Sequence, residues 1–535
     1  MVMLFDFLSV APRRGFVFKN WAGIYSCRSQ LYFQPTSVDE IVKVVKAARQ
    51  EKKTLVTVGS GHSPSDMCMT NEWLMNLDRF NKVLELKEHP RKKYADVTVE
   101  AGMRVYQLSE YLGQKGYAIQ NLGSISEQSV GGIISTGTHG SSPYHGLVSS
   151  QYVNLTIVNG KGEVIFLDSE HHPDIFKAAL LSLGKIGVIV KATIRAVPKF
   201  NIRSTEELIK FDTLLDKWDT IWTSSEFIRI WWYPYTRKCI LWRGVKTQEP
   251  VTEPRKSWWG SLVGRYFYET LLWVATQIYT PLTPYIERFV FHRQYGQVEN
   301  FGKGELEVSS SVDGLNMDCL FSQFVDEWGC PLENGPEVLR SLDHSIMQAA
   351  QCKEFYVHVP VEVRCSNTTI PDKPLNVEDR TPTSPGPVPG NTLRPYLDNT
   401  PSHCRYAPLS DVTNSQLTLY INATMYRPFH WNSSVGRWYA LFEDTMAAAE
   451  GKPHWAKNFI GSTSLLEKQI KNETEYGDHE MRGMTKSVRK WYGEDLKNWQ
   501  RVRREQDPDG VFLANKDWCM RNGIVDGQDL KMLDH

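Results

Sequence analysis

The run Val56-Thr57-Val58-Gly59-Ser60-Gly61-His62-Ser63-Pro64-Ser65-Asp66 places two glycines, three serines and a histidine directly after a β-rich stretch. Glycines in such a loop let consecutive backbone N–H groups point into one concavity, a nest suited to pyrophosphate. The hydroxyls of Ser60, Ser63 and Ser65 add uncharged donors. His62 stands inside the loop, where an imidazole reaches whatever the loop holds. Taken alone, the loop reads first as a tight turn with a solvent-facing histidine. A second stretch, Asn121 to Gly140, is also dense in small and hydroxylated residues, with Gly123, Ser124, Gln128, Gly132, Ser135, Thr136, Thr138 and His139. Small residues let backbone approach a flat ligand closely. The first loop lacks the third glycine of G-x-G-x-x-G and no acidic ribose partner follows it, so a Rossmann unit is not supported. Two such loops without that signature point to a different dinucleotide fold.

Glu362 and Arg364 stand at i and i+2 on a strand expected over His358–Cys365, so their side chains share a face. They are either a solvated ion pair or a charged pair turned toward a site. The flanking Val357, Val359, Val361 and Val363 suggest that the opposite face is buried. In His454-Trp455-Ala456-Lys457 the histidine and lysine are close enough to project together, the plain alternative being a helix start with an exposed lysine. The chain has no G-x-x-x-x-G-K-[ST], no H-E-x-x-H and no G-x-S-x-G, which removes the main support for NTPase, zinc protease and serine hydrolase chemistry. Nine cysteines are scattered without a C-x-x-C pair, so no metal site is expected and reduced thiols are.

Elements must position these residues. Val38, Ile41, Val42, Val44, Val45 and Ala48 recur at helical spacing after Ser37, with Ser37 and Glu40 placed as a capping box. Thr54–Val58 and Asp96–Glu100 read as strands, Arg104–Lys115 as a helix, Tyr152–Val158 and Val164–Leu167 as a hairpin across Asn159–Gly162, and Ile186–Ala196 as a further strand. The fold class is α+β. Lys256–Tyr295 is rich in aromatics, and its uncharged stretch Thr270–Ile286 is 17 residues long and holds Pro281 and Pro284. It is short and broken for a spanning helix. It is either a buried aromatic segment or a helix pair in a bilayer interface. Ser366–Cys404 carries eight prolines and few apolar residues, the composition of an extended or mobile surface loop. Lys+Arg and Asp+Glu are 61 each, so no charge imbalance points to nucleic acid. The 17 Trp, 23 Tyr and 22 Phe suit a deep organic-ligand pocket or a membrane-facing surface. Met1 to Phe18 lacks the pattern of a secretory signal, and an intracellular setting is expected.

The chain resembles the aldonolactone oxidases of the vanillyl-alcohol oxidase flavoprotein family. The motifs that carry the resemblance are Asn20-Trp21-Ala22, Tyr32-Phe33-Gln34-Pro35-Thr36-Ser37, Gly59–Asp66 and Gly137-Thr138-His139-Gly140. Further along come Pro360-Val361-Glu362-Val363-Arg364, Tyr426-Arg427-Pro428, Lys452–Lys457 and Asp507-Pro508-Asp509-Gly510-Val511-Phe512, in order over nearly the whole chain. The resemblance implies an FAD-binding domain over 1–200. It implies a substrate, or cap, domain over 201–470, containing the 256–295 segment and the 366–404 insertion, and a segment 471–535 that returns to close the site.

The resemblance further implies FAD bonded through its 8α-methyl to His62, with Gly123 to Thr138 along the cofactor and Gly187 and Val188 adding backbone contacts. It places Glu362 and Arg364 in the substrate site, with Glu362 orienting the C2 hydroxyl and accepting its proton, Arg364 meeting negative charge, and Lys457 and His454 nearby. The implied reaction is oxidation of an aldono-1,4-lactone to an ascorbate-type product with molecular oxygen reduced to hydrogen peroxide. The insertion is closer to the fungal branch, so D-arabinono-1,4-lactone is the expected substrate and D-erythroascorbate the product, with L-gulono-1,4-lactone as the alternative. A dehydrogenase passing electrons to cytochrome c is the other alternative; Gly123, where the plant-type dehydrogenase carries alanine, favours an oxidase. Association with the mitochondrial outer membrane, or with the endoplasmic reticulum, is expected.

Overall fold

The computed structural model describes residues 11–317, 319–358, 360–367, 377–401, 412–459, 484–527 and 529. Three sheets organise them. The first holds β1 (Arg13–Lys19), β2 (Ser26–Phe33), β3 (Leu55–Val58) and β4 (Trp73–Asn76) in the order β1-β2-β4-β3. Its β2–β4 and β4–β3 pairings are parallel, and the helix Val38–Gln50 makes the crossover between β2 and β3. Ser37 accepts the Glu40 N–H at 3.2 Å, as expected of a cap. The Glu40 carboxylate, however, turns to the Thr36 N–H at 2.7 Å, one residue earlier than a capping box requires. Ile41, Val44, Val45 and Ala48 form its buried stripe.

The second sheet holds β5 (Val83–Glu88), β6 (Ala95–Glu100), β7 (Tyr117–Ala118), β8 (Tyr152–Val158), β9 (Val164–Leu167) and β10 (Val188–Pro198). Its order is β5-β6-β10-β8-β9, with β7 on the end of β10. The β8–β9 hairpin closes on the Val158–Val164 pair, as the turn residues between them require.

The third sheet has eight strands: β11 (Asn201–Lys210), β12 (Phe227–Tyr233), β13 (Lys238–Thr247), β14 (Glu305–Ser310), β15 (Gln323–Pro331), β16 (Val361–Ser366), β17 (Thr418–Tyr426) and β18 (Lys452–Pro453). The order is β14-β11-β13-β12-β16-β17-β15-β18. β16 is central and all six of its residues are buried. The strand therefore starts later than its valines suggest and has both faces covered, which rules out a solvated Glu362–Arg364 pair.

Residues 256–295 form two helices, Leu262–Gln277 and Thr283–Tyr295. Pro281 lies in the connection and Pro284 in the first turn of the second helix, where a missing N–H is harmless. Tyr268, Leu272, Ala275, Ile286 and Val290 pack on Phe321 and Tyr426. The other face leaves Leu262, Val263, Tyr266, Tyr285 and Phe289 exposed. One face is core, as the buried-segment reading has it, and the other is exposed among the described residues. Among the described residues, no helix is long and apolar enough to cross a membrane.

The proline-rich insertion is not a free surface loop over 377–401. Val388, Tyr396 and Leu397 are buried. Gln120 binds both the N–H and the carbonyl of Val388, at 2.6 and 2.8 Å. The Asn391 amide donates to the Ser149 and Tyr152 carbonyls. Prolines remove backbone donors; the Val388 N–H goes to the Gln120 side chain, and the Gly390 and Asn391 N–H groups go to the Ser150 carbonyl. Residues 368–376 and 402–404 of the insertion lie outside the described residues.

Candidate active site

Two cavities adjoin at the Gly59–Ser63 loop. The first, about 830 Å³, is lined by Gly59, Ser60, Gly61, His62 and Ser63 at the end of β3, and by Gln128, Gly132, Ser135 and Thr136 from the second small-residue stretch. Gly187 and Val188, at the start of β10, complete it. The second, about 660 Å³, is walled by Gly123, Ser124, Thr138 and His139 on one side and by Glu362, Arg364, His454 and Lys457 of the third sheet on the other. His62, Ser63 and Gln128 line both. An outer mouth of about 1110 Å³ reaches His62 and Ser124 past Trp21 and Glu127.

Of the expected site residues, Ser65 is the exception: it lines neither cavity. After Pro64 the chain turns inward, where the Asn20 amide donates to the Pro64 carbonyl at 2.9 Å and Arg521 binds the Asp66 carboxylate at 2.7 Å. The described residues 484–527 and 529 brace this loop from behind, and none of them lines the two cavities.

Gly61 has φ +68°, and a Cβ there would meet Phe18 Cζ at 2.9 Å, so the loop needs glycine at its bend. His62 Nδ1 is buried without a hydrogen-bond partner. Burial, helped by Arg104, lowers the His62 pKa to about 4, so the ring is neutral near pH 7. A partnerless neutral imidazole nitrogen at the junction of a nest-lined slot and a charged chamber fits a flat dinucleotide whose reactive ring reaches that junction.

The chamber is built by strand register. Glu362 of β16 pairs with Asn422 of β17, and Asn422 pairs with Glu327 of β15, so three side chains form one row across three strands. Arg364, two residues along β16, pairs with Arg229 of β12. The Arg364 guanidinium donates to Glu327, donates to Ser124 Oγ at 3.2 Å and lies 3.6 Å from Glu362. Glu362 is also 3.3 Å from Arg229 Nε. The Lys457 ammonium lies 3.5 Å from Glu327 Oε2, and His139 Nε2 lies 3.3 Å from Glu327 Oε1. Burial alone would raise Glu327, but Arg364 first, then Lys457, hold its carboxyl well below the usual range. Burial works against the Arg364 charge, and Glu327 and then Glu362 overcome it, leaving that guanidinium more firmly protonated.

Lys457 does not begin a helix. The His454 N–H donates to the Glu327 carbonyl at 2.8 Å and the Asn458 N–H to the Val325 carbonyl at 2.7 Å, so this segment runs along β15 beyond β18. Burial lowers the His454 pKa to about 3. Sequence reasoning missed Glu327 and Arg229. Their signal was present: each is a charge inside an apolar run, Phe324-Val325-Asp326-Glu327-Trp328 and Phe227-Ile228-Arg229-Ile230-Trp231. His139, Glu327 and His454 converge with ligand atoms within 4.8 Å of one another. Arg364 and Lys457 already occupy the Glu327 oxygens and repel a further cation.

A family model described as D-arabinono-1,4-lactone oxidase matches residues 192–522, and one described as FAD binding domain matches residues 29–168. The chain is 70% identical over 524 residues to the D-arabinono-1,4-lactone oxidase of Kluyveromyces lactis, covering 98% of this chain and 100% of that protein. It is 68% identical over 524 residues to the enzyme of the same name from Saccharomyces cerevisiae, with the same coverage. Among solved structures, a solvent-stable cholesterol oxidase superposes with a TM-score of 0.68 at 16% identity, over 98% of both chains. A cholesterol oxidase from B. sterolicum gives 0.69 at 16% identity, over 95% of this chain and 96% of that one. These last two similarities speak to the fold alone.

Proposed function

This chain belongs to the D-arabinono-1,4-lactone oxidase family, and from that premise we propose that it oxidises D-arabinono-1,4-lactone at C2 with FAD held covalently by His62. The observation that carries the reading is the shared wall. The residues that fit FAD and the buried Glu362–Arg364 pair meet at His62, Ser63 and Gln128. Gly59–Ser63 and Ser135–Thr136 would hold the phosphates, and His62 Nδ1, with no protein partner, is free to bond the ring system. When bound, FAD would supply the two-electron acceptor for the C2 hydrogen, with molecular oxygen as the expected final acceptor and hydrogen peroxide as its product.

The chain's own groups do the rest. Glu362 accepts a hydrogen bond from the C2 hydroxyl and so orients the C–H bond. Arg364, fixed by Glu327 and Ser124, presents a preorganised cation where negative charge develops. Gly123 supports oxygen as acceptor. It lines the chamber, and a Cβ there would crowd Thr138 Cγ2 at 2.7 Å, so alanine would press on another residue of the chamber wall. The bare aromatic face of the 262–295 helix pair supports attachment to a membrane surface, with the mitochondrial outer membrane expected and the endoplasmic reticulum as alternative.

Anaerobic addition of D-arabinono-, L-gulono- and L-galactono-1,4-lactone to the yellow protein tests the proposal. Bleaching by the first, followed by peroxide on admitting air, is expected. Absence of bleaching by any lactone would refute it. Gly123→Ala is expected to slow return of colour in air more than bleaching.

A further inference from the structure

His139 lies between two acceptors. Its Nδ1 is 2.9 Å from the Gly140 carbonyl oxygen, and a carbonyl only accepts, so Nδ1 carries the proton. Nε2 faces Glu327 Oε1 at 3.3 Å and makes no hydrogen bond. Burial, with Arg364 adding to it, lowers the ring's proton affinity, while Arg364 and Lys457 keep Glu327 ionised. Two lone pairs therefore oppose each other in a site where His139 is 3% exposed and Glu327 is fully buried. The other neighbours do not fill the gap. Tyr420 stacks on the ring at 3.6 Å, and its hydroxyl donates to Asn399. The His454 ring is 5.6 Å away, and its Nδ1 accepts from the Ala456 N–H. Arg364 and Lys457 address Glu327. The His139–Glu327 contact is one proton short.

We propose that the His139–Glu327 pair is the acceptor of the proton released from the substrate's C2 hydroxyl. Both residues line the chamber with Glu362. Glu362 sits between the Arg229 and Arg364 guanidinium groups, 3.3 and 3.6 Å away, which fix its carboxylate in place and suit it to orientation. In the step, the O–H bond breaks and its proton bonds to Nε2, turning the opposed lone pairs into an imidazolium–carboxylate ion pair. The C2 hydrogen leaves with two electrons as hydride to FAD, and C2–O becomes a carbonyl. The pair returns to its resting state by releasing the proton to solvent. The substrate's identity rests on the function proposed above; the protonation of the pair is a property of the polypeptide.

Two measurements test this on the holoprotein. Long-range ¹H–¹⁵N spectra of histidine-labelled enzyme should show one neutral ring protonated on Nδ1 that disappears in His139→Gln. Finding that ring protonated on Nε2, or on both nitrogens, at neutral pH overturns the proposal. In anaerobic stopped flow, flavin reduction by lactone should fall as pH drops and the pair fills. His139→Gln should be slower by roughly hundredfold or more, with that acid limb gone, the scale expected for loss of a general base. Glu327→Gln, whose amide can donate to Nε2, should lose the same limb. Wild-type speed with an unchanged acid limb in either variant overturns the role of the pair while leaving lactone oxidation intact. Failure of wild type to be reduced by any lactone strikes the functional reading instead, and the spectra still decide the pair.

Discussion

Arg364 touches two carboxylates and a serine hydroxyl at once, so its position is over-determined. Arg364→Ala removes a cation that needs no reorganisation as charge develops. A loss of about 3–4 kcal/mol in transition-state stabilisation follows, and flavin reduction is expected to slow by roughly hundredfold or more in anaerobic stopped flow. Arg364→Lys keeps charge but loses the planar fork that reaches Glu327 and Ser124 together, so it should remain impaired. His62→Ala should yield protein whose colour goes to the supernatant on acid precipitation, while wild type stays yellow and fluorescent in the pellet. These residues were legible because their signals are local: a glycine loop around a histidine, two charges at i and i+2. Glu327 and Arg229 were not. Their meaning comes from neighbours on other strands, and no spacing along the chain announces that β15, β17 and β16 lie side by side.

At the scale of elements, the helix pair Leu262–Gln277 and Thr283–Tyr295 carries an apolar face on each side, and the described residues cover only one. Replacing Leu262, Val263, Tyr285 and Phe289 together by serine leaves the Tyr268–Leu272–Val290 contacts in place. The variant should keep its flavin and lose co-sedimentation with anionic phospholipid vesicles. Equal sedimentation of both proteins would show that this face does not hold the membrane. Composition misled at the insertion. Proline content argued for an excursion, yet the amides of Gln120 and Asn391 tie 388–391 to the second-sheet region. Both residues were visible in sequence, but their partners lie 239 to 268 positions away. Periodic elements fared better: the Val38–Gln50 helix and the β8–β9 hairpin follow from patterns within a dozen residues.

At the scale of the molecule, a buried charge cluster joins the second loop to the third sheet and the insertion. Glu226 Oε1 lies 2.9 Å from Lys246 Nζ and 3.0 Å from His145 Nε2, and accepts the Gly386 N–H at 2.9 Å. Burial would raise the Glu226 carboxyl, but Lys246, then His145, more than offset it, so its folded pKa lies below the unfolded value. The sign follows: this stability is fully present above an unfolded pKa of about 4.3 and is lost as pH falls through the lower folded value. Glu226→Ala strands Lys246 and should cost about 3–5 kcal/mol at pH 7, read by urea unfolding, with a smaller deficit in strong acid. The C-terminal residues reach back as well. The Leu55 N–H donates to the Val511 carbonyl at 2.7 Å, Lys185 binds the Ala514 carbonyl at 2.8 Å, and Arg521 pins Asp66. The edge of β3, from which the His62 loop springs, is thus finished by residues that follow it far along the chain. Nascent chains arrested before Val511 lack that edge partner and should emerge colourless however much FAD surrounds them.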